Sequence, residues 1–200
     1  MGKTRLEAFS DGVIAVIITI MVLELKAPHD ASLGALAELW PVFLSYVVSF
    51  VYIGIYWNNH HHLMHAVRRI NGSVLWANLH LLFWLSLVPF TTAWMAENHF
   101  AEAPVALYSG VLLMCGVAYT MLATCLANID GHNATLNRVS GRRDIKGLLS
   151  IVGYVLAIVC AFYIRWVSLA LIVGVALMWF VPDRRIETSV PAGGAGADPD

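Results

Sequence analysis

Charge is what this 200-residue sequence has least of: Asp, Glu, Lys and Arg make up 12% of it, about half the share found in an ordinary water-soluble domain. Neither sign prevails. Twelve basic residues stand against 13 acidic ones, for a net charge of -1, so no basic field exists to gather a nucleic acid, which is excluded as a partner. Cysteine is scarce as well, and Cys115, Cys125 and Cys160 lie in apolar runs without metal or redox spacing, as buried fillers do. No long polar segment is available for a soluble domain, the longest being the loop from Asn128 to Gly147. A nucleophile elbow, a phosphate loop, a zinc-protease helix and a carboxylate pair are all missing, so an enzyme is not expected.

What fills the chain instead is apolar, with 59% hydrophobic residues and a mean hydropathy of +0.71. A helix rising ~1.5 Å per residue needs about 20 such residues to cross the hydrocarbon core. Six stretches meet or approach this: Leu6 to Leu25, Leu39 to Trp57, Ser73 to Met95, Ala103 to Ala127, and the shorter pair Leu148 to Ile164 and Trp166 to Val181, split only by Arg165. Asp11 interrupts the start of the first run and no small-residue cleavage site follows Leu25, so the run reads as a span and not a signal peptide. The residue at position 6 is Leu where a myristoylation motif wants Ser or Thr.

Basic residues set the orientation, because Lys and Arg are retained on the cytoplasmic side. Lys3, Arg5, Arg68, Arg69, Arg138, Arg142, Arg143, Lys146, Arg184 and Arg185 fall on one side of the alternating loops, and only Lys26 and Arg165 on the other. The expected fold class is therefore all-α, a polytopic membrane protein with six transmembrane helices and both termini cytoplasmic. The membrane domain would span residues 1–182. Residues 183–200, which drift into Gly and Ala without periodicity, would form a disordered cytoplasmic tail. The glycosylation-like triplets Asn71-Gly72-Ser73 and Asn133-Ala134-Thr135 fall on the inner side and are discounted.

In a spanning helix the informative side chains are those that are expensive in lipid. Asp11 lies roughly 6 Å past the charged entrance of the first helix, where it either snorkels to water or serves a site. The second span leaves the membrane through Trp57-Asn58-Asn59-His60-His61-His62-Leu63-Met64-His65, at the same face as Asp11. Its indole and imidazole donors can therefore meet Ser10 and Asp11 and lock helix one in place. His61 and His65 also form an i, i+4 pair able to share an ion, although nothing is spaced to complete a tetrahedral metal site. His80 stands alone in the third span and is expected to be a satisfied interior imidazole. Pro89 with Thr91 and Thr92 marks a kink whose freed carbonyls are re-satisfied locally. Val16, Thr19, Ile20 and Leu23 share one stripe of the first helix, a pattern that ordinary packing also produces.

The string Arg5-x-x-x-Phe9-Ser10-Asp11-Gly12-Val13, then Thr19 and Leu23-Glu24-Leu25, resembles the opening helix of the transmembrane protein 175 family, the lysosomal and prokaryotic potassium channels. Trp57-x-x-His60-His61, Ser86-Leu87-x-Pro89-Phe90-x-Thr92 and the segment Pro104 to Tyr108 resemble the family at the same relative places. The resemblance implies a prokaryotic single-repeat member in the plasma membrane. Four copies would assemble, embedded in membrane lipid, with helix one of each lining a central cation pathway.

Potassium would be the permeant ion, with no cofactor and no bound metal. The family lacks the filter of ordinary potassium channels, and no Thr-Val-Gly-Tyr-Gly element or P-loop filter occurs here. Carried over position by position, the constrictions fall on Val16, Ile20 and Leu23, and a hydroxyl linked to selectivity falls on Thr19. Val16 is a methylene smaller than the family's usual Ile, which places the tightest ring at Ile20 or Leu23. A structural network carries over to Arg5, Phe9, Ser10, Asp11, Trp57, His60 and His61. Two other readings compete with a passive channel: a proton-coupled or metal-ion transporter using Asp11 and the His60 to His65 cluster, and a membrane scaffold without transport.

Overall fold

The structure, a computed structural model, describes residues 2–67, 69–129 and 145–180. Arg68, most of the loop before the fifth apolar run, and the segment read above as a tail lie outside these residues. Every regular element among them is a helix: α1 Lys3–Leu23, α2 Leu33–Glu38, α3 Trp40–His65, α4 Gly72–Ser86, α5 Val88–Glu97, α6 Glu102–Ile129, α7 Ile145–Ala161 and α8 Arg165–Phe180. Four stretches are long and apolar enough to cross a membrane: Lys3–Leu23, Trp40–His65, Gly72–Glu97 and Glu102–Ile129. α7 and α8 have 17 and 16 residues, which at ~1.5 Å each gives about 25 Å, a little less than the ~30 Å hydrocarbon core.

Local chemistry explains the ends. Asn71, the first residue of a glycosylation-like triplet, is instead the N-cap of α4, its Oδ1 accepting from the Val74 amide at 3.0 Å. Ser32 caps α2, a short helix that falls between the first two predicted spans, and its Oγ accepts from Ala35 N at 3.2 Å. α3 runs to His65, so the His-rich segment continues the helical ladder eight residues past the end of the apolar run at Trp57.

The third apolar run is broken at Leu87 into α4 and α5. Pro89 has no amide to donate, and hydroxyls on both sides of the break bond nearby backbone carbonyls. Ser86 Oγ bonds Phe83 O at 2.7 Å, Thr92 Oγ1 bonds Val88 O at 2.7 Å, and Thr91 Oγ1 reaches the carbonyls of Leu87 and Val88 at 3.2 and 3.1 Å.

α5 ends in a Schellman turn: Phe100 N bonds Met95 O at 3.0 Å and His99 N bonds Ala96 O at 3.1 Å. Both closing residues are left-handed, with φ of 48° at His99 and 58° at Phe100. Phe100 is held there by burial, its ring 5.6 Å from Trp40 and 6.2 Å from Trp166.

α6 forms the centre, packing against α4, α5, α7 and α8, while α1 packs on α3, α4 and α5. The core it organises includes Leu112, Cys115, Leu122 and Leu126 of α6, Tyr52 and Ile53 of α3, Leu81 and Leu85 of α4, and Tyr154 of α7. Polar ties cross it where lipid-like surroundings make an unpaired group expensive. Tyr52 donates its hydroxyl proton to Ile172 O at 2.6 Å, and Ser49 Oγ lies 2.7 Å from Thr92 Oγ1 and 2.9 Å from Tyr108 Oη. The α7–α8 hairpin is closed by Ser168 Oγ donating to Ala157 O at 2.7 Å.

Candidate functional site

α1 has two unlike faces. Leu6, Ser10, Ile14, Ile17 and Met21 are buried against the rest of the chain, spaced by four, four, three and four as one helical stripe requires. The opposite face carries Phe9, Gly12, Val16, Thr19, Ile20 and Leu23, all exposed. Leu23 is 77% exposed, Val16 55% and Ile20 42%. Exposure of apolar residues is not by itself distinctive here, since α7 and α8 also present Leu and Val outward. What separates α1 is a concavity. Phe9, Gly12, Val16 and Ile20 form one wall of an open groove of about 920 Å³, and Pro89, Phe90, Ala93 and Trp94 of α5 form the other. Glu24 and Glu97 stand in the same groove.

Thr19 is placed on this outward face with a specific hydrogen-bond state. Its Oγ1 donates to Val16 O at 2.8 Å. With the proton turned back into the helix, the oxygen lone pairs remain free for an electropositive partner.

The buried face is fastened by a polar chain that crosses three helices. Ser10 Oγ donates to Leu6 O at 2.9 Å and accepts from Asn78 Nδ2 at 2.9 Å. Asn78 Oδ1 in turn lies 2.8 Å from His60 Nε2, which must be the protonated nitrogen for this contact to be a hydrogen bond. Ser10 and Asn78 have no exposed surface and His60 only 2%. On the outer side of this chain, Trp57 Nε1 donates to Asp11 Oδ1 at 3.1 Å, and the His61 ring stacks on Trp57 at 6.0 Å.

Sequence reading placed Ser10, Asp11, Trp57, His60 and His61 together, and the structure brings them to one region of α1 and α3. It missed Asn78, and with it the true path: the His60 imidazole reaches Ser10 through the Asn78 amide and not directly. The available signal was a lone carboxamide between Ala77 and Leu79 in an otherwise apolar run. Two other expected members stand apart. Arg5 is exposed and joins the chain by no hydrogen bond or ion pair among the described residues, and Phe9 points into the groove. His80 is half-buried and not fully satisfied: Nε2 accepts from Trp84 Nε1 at 2.9 Å, while Nδ1 has no partner. Among the described residues no three His, Cys, Asp or Glu converge as a metal site.

A family model described as the endosomal/lysosomal potassium channel TMEM175 matches residues 5–89, the stretch that contains α1, the polar chain and the α4–α5 break. A potassium channel of Chryseobacterium sp. (strain P1-3) is 50% identical over 190 residues, covering 95% of this chain and 98% of that protein. The chain belongs to the TMEM175 family. The crystal structure of a lysosomal potassium-selective channel TMEM175 homolog from Chamaesiphon minutus superposes with a TM-score of 0.78 at 28% identity, covering 89% of this chain and 96% of that one. The human endosomal/lysosomal proton channel TMEM175 is 29% identical over 131 residues, which are 60% of this chain and 26% of the human protein. TMEM175 proteins are ion channels and not enzymes, in keeping with the absence of catalytic motifs in the sequence.

Proposed function

We propose that this protein is a homotetrameric potassium channel of the cell membrane, with six spans per subunit and both termini cytoplasmic. The outward face of α1 from each copy lines the central pathway. The observation that carries this reading is the division of α1: one face is anchored by a buried polar chain, and the other carries Val16, Thr19, Ile20 and Leu23 exposed, with Val16 and Ile20 lining an open groove. Four such faces around an axis make stacked apolar rings. Rings of this kind block ions by excluding water and conduct when the helices splay.

Selectivity falls to the Thr19 oxygens, whose free lone pairs offer one ligand per subunit. Few oxygen ligands mean modest discrimination of potassium over sodium. No helix carries a ladder of Arg residues, so steep voltage gating is not expected. The carrier reading is weaker because two of its groups are already engaged: Asp11 accepts from Trp57, and His60 is held by Asn78.

Liposomes loaded with potassium and diluted into sodium buffer test the proposal. A channel gives downhill flux with little saturation. Ile20→Ala or Leu23→Ala raises that flux or loosens its selectivity. Unchanged flux in both variants removes these residues from the pathway, and saturable flux coupled to a pH gradient supports the carrier instead.

A further inference from the structure

The polar chain uses one of the four histidines at the end of α3 and leaves the others outside it. We propose that His61 and His65 form a two-imidazole chelate for a divalent first-row transition ion, copper or nickel in preference to zinc. The two residues are one helical turn apart on one face, the spacing by which helices commonly present a histidine pair to a metal. Their ring centroids are 4.3 Å apart. That spacing brings the two imidazoles within reach of one shared ion. Copper(II) and nickel(II) are favoured because they bind nitrogen ligands tightly in the divalent series.

Three further features favour the site. Both rings are exposed, so a hydrated ion can reach them without opening the fold. His61 is already restrained by its stack on Trp57 at 6.0 Å, which reduces the freedom lost on binding. His65 sits in the last turn of α3, with His61 one turn before it, where the negative end of the helix dipole attracts cations. His62 contacts the His61 ring edge-on at 5.9 Å, but its position next to His61 in sequence turns it to another side of the helix. No third His, Cys, Asp or Glu joins the pair among the described residues, so water completes the coordination and the ion exchanges readily, unlike one in a closed structural zinc site.

The test is titration calorimetry of nickel(II) into the full-length, detergent-solubilised protein without a polyhistidine tag. The expected result is one saturable site per chain, weakened about tenfold or more in both His61→Ala and His65→Ala and unchanged in His62→Ala. Electron paramagnetic resonance of added copper(II) on the unsubstituted protein reads the coordination without relying on any variant, and two imidazole nitrogens are expected. Absence of saturable nickel binding, unweakened binding in either the His61 or the His65 variant, loss of it in His62→Ala, or a copper spectrum with a single nitrogen overturns the assignment.

Discussion

Replacing Asn78 with Leu separates the polar anchor of α1 from everything else that holds the helix. Leucine keeps the branched skeleton of asparagine and is somewhat larger, so the substitution leaves no cavity and removes two hydrogen bonds, at 2.9 Å to Ser10 and 2.8 Å to His60. Hydrogen bonds between membrane helices are worth about 0.6 kcal/mol each on average and up to about 1.7. Ser10 keeps its bond to Leu6 O and loses little. His60, buried and left with an unpaired Nε2, carries the larger penalty of about 1–3 kcal/mol. The expected total is about 2–3 kcal/mol. At roughly 2–4 °C per kcal/mol for a chain of this size, the apparent melting temperature in detergent should fall by about 4–12 °C.

The second substitution His60→Phe in the same background distinguishes an orphaned group from a packing defect. Replacing both partners with apolar side chains removes the unmet polar demand, so the double variant should recover part of the lost stability. A melting temperature within 1–2 °C of the parent for Asn78→Leu, or a double variant less stable than the single one, refutes the role assigned to the buried chain.

A methyl group built on Gly153 meets Val175 Cγ2 at 2.8 Å. Gly153→Ala should therefore lose about 1–3 kcal/mol by overpacking in chemical denaturation, and Val175→Ala in the same protein should restore most of it. His99 occupies a left-handed position with φ of 48° at the end of α5, and glycine takes that conformation without a Cβ penalty. His99→Gly is expected to stabilise the protein by about 0.5–1 kcal/mol, and a decrease would show that the ring makes a compensating contact. Trp57→Ala removes the exposed bond to Asp11. It should lower the melting temperature less than Asn78→Leu does, yet reduce the tetramer fraction on a sizing column. Intact assembly would confine the Trp57–Asp11 pair to the single subunit.

The long apolar runs were legible because spanning length and composition are local properties. So was the break near Pro89, where the missing amide states the defect. Less visible were features decided by partners distant in sequence. Asn78 takes its meaning from Ser10 and His60, which are 68 and 18 residues away. The exposure of Phe9 and Arg5 likewise depends on which side of α1 packs inward. α2 escaped notice because six residues are too few to show a helical period. The stripe Val16, Thr19, Ile20 and Leu23 could be drawn on the sequence, but only packing shows that the chain itself leaves it uncovered.

Ser10 and Asp11 are placed as a fulcrum would be. There α1 is tied to its neighbours by directional bonds, while Ile14, Ile17 and Met21 are apolar and buried against the rest of the chain. At ~1.5 Å per residue, Val16, Ile20 and Leu23 lie about 9, 15 and 20 Å along the arm. A swing of about 10° would carry them outward by roughly 1.6, 2.6 and 3.4 Å. The same small rotation would thus displace the helix unequally, most at Leu23 and least beside the pivot.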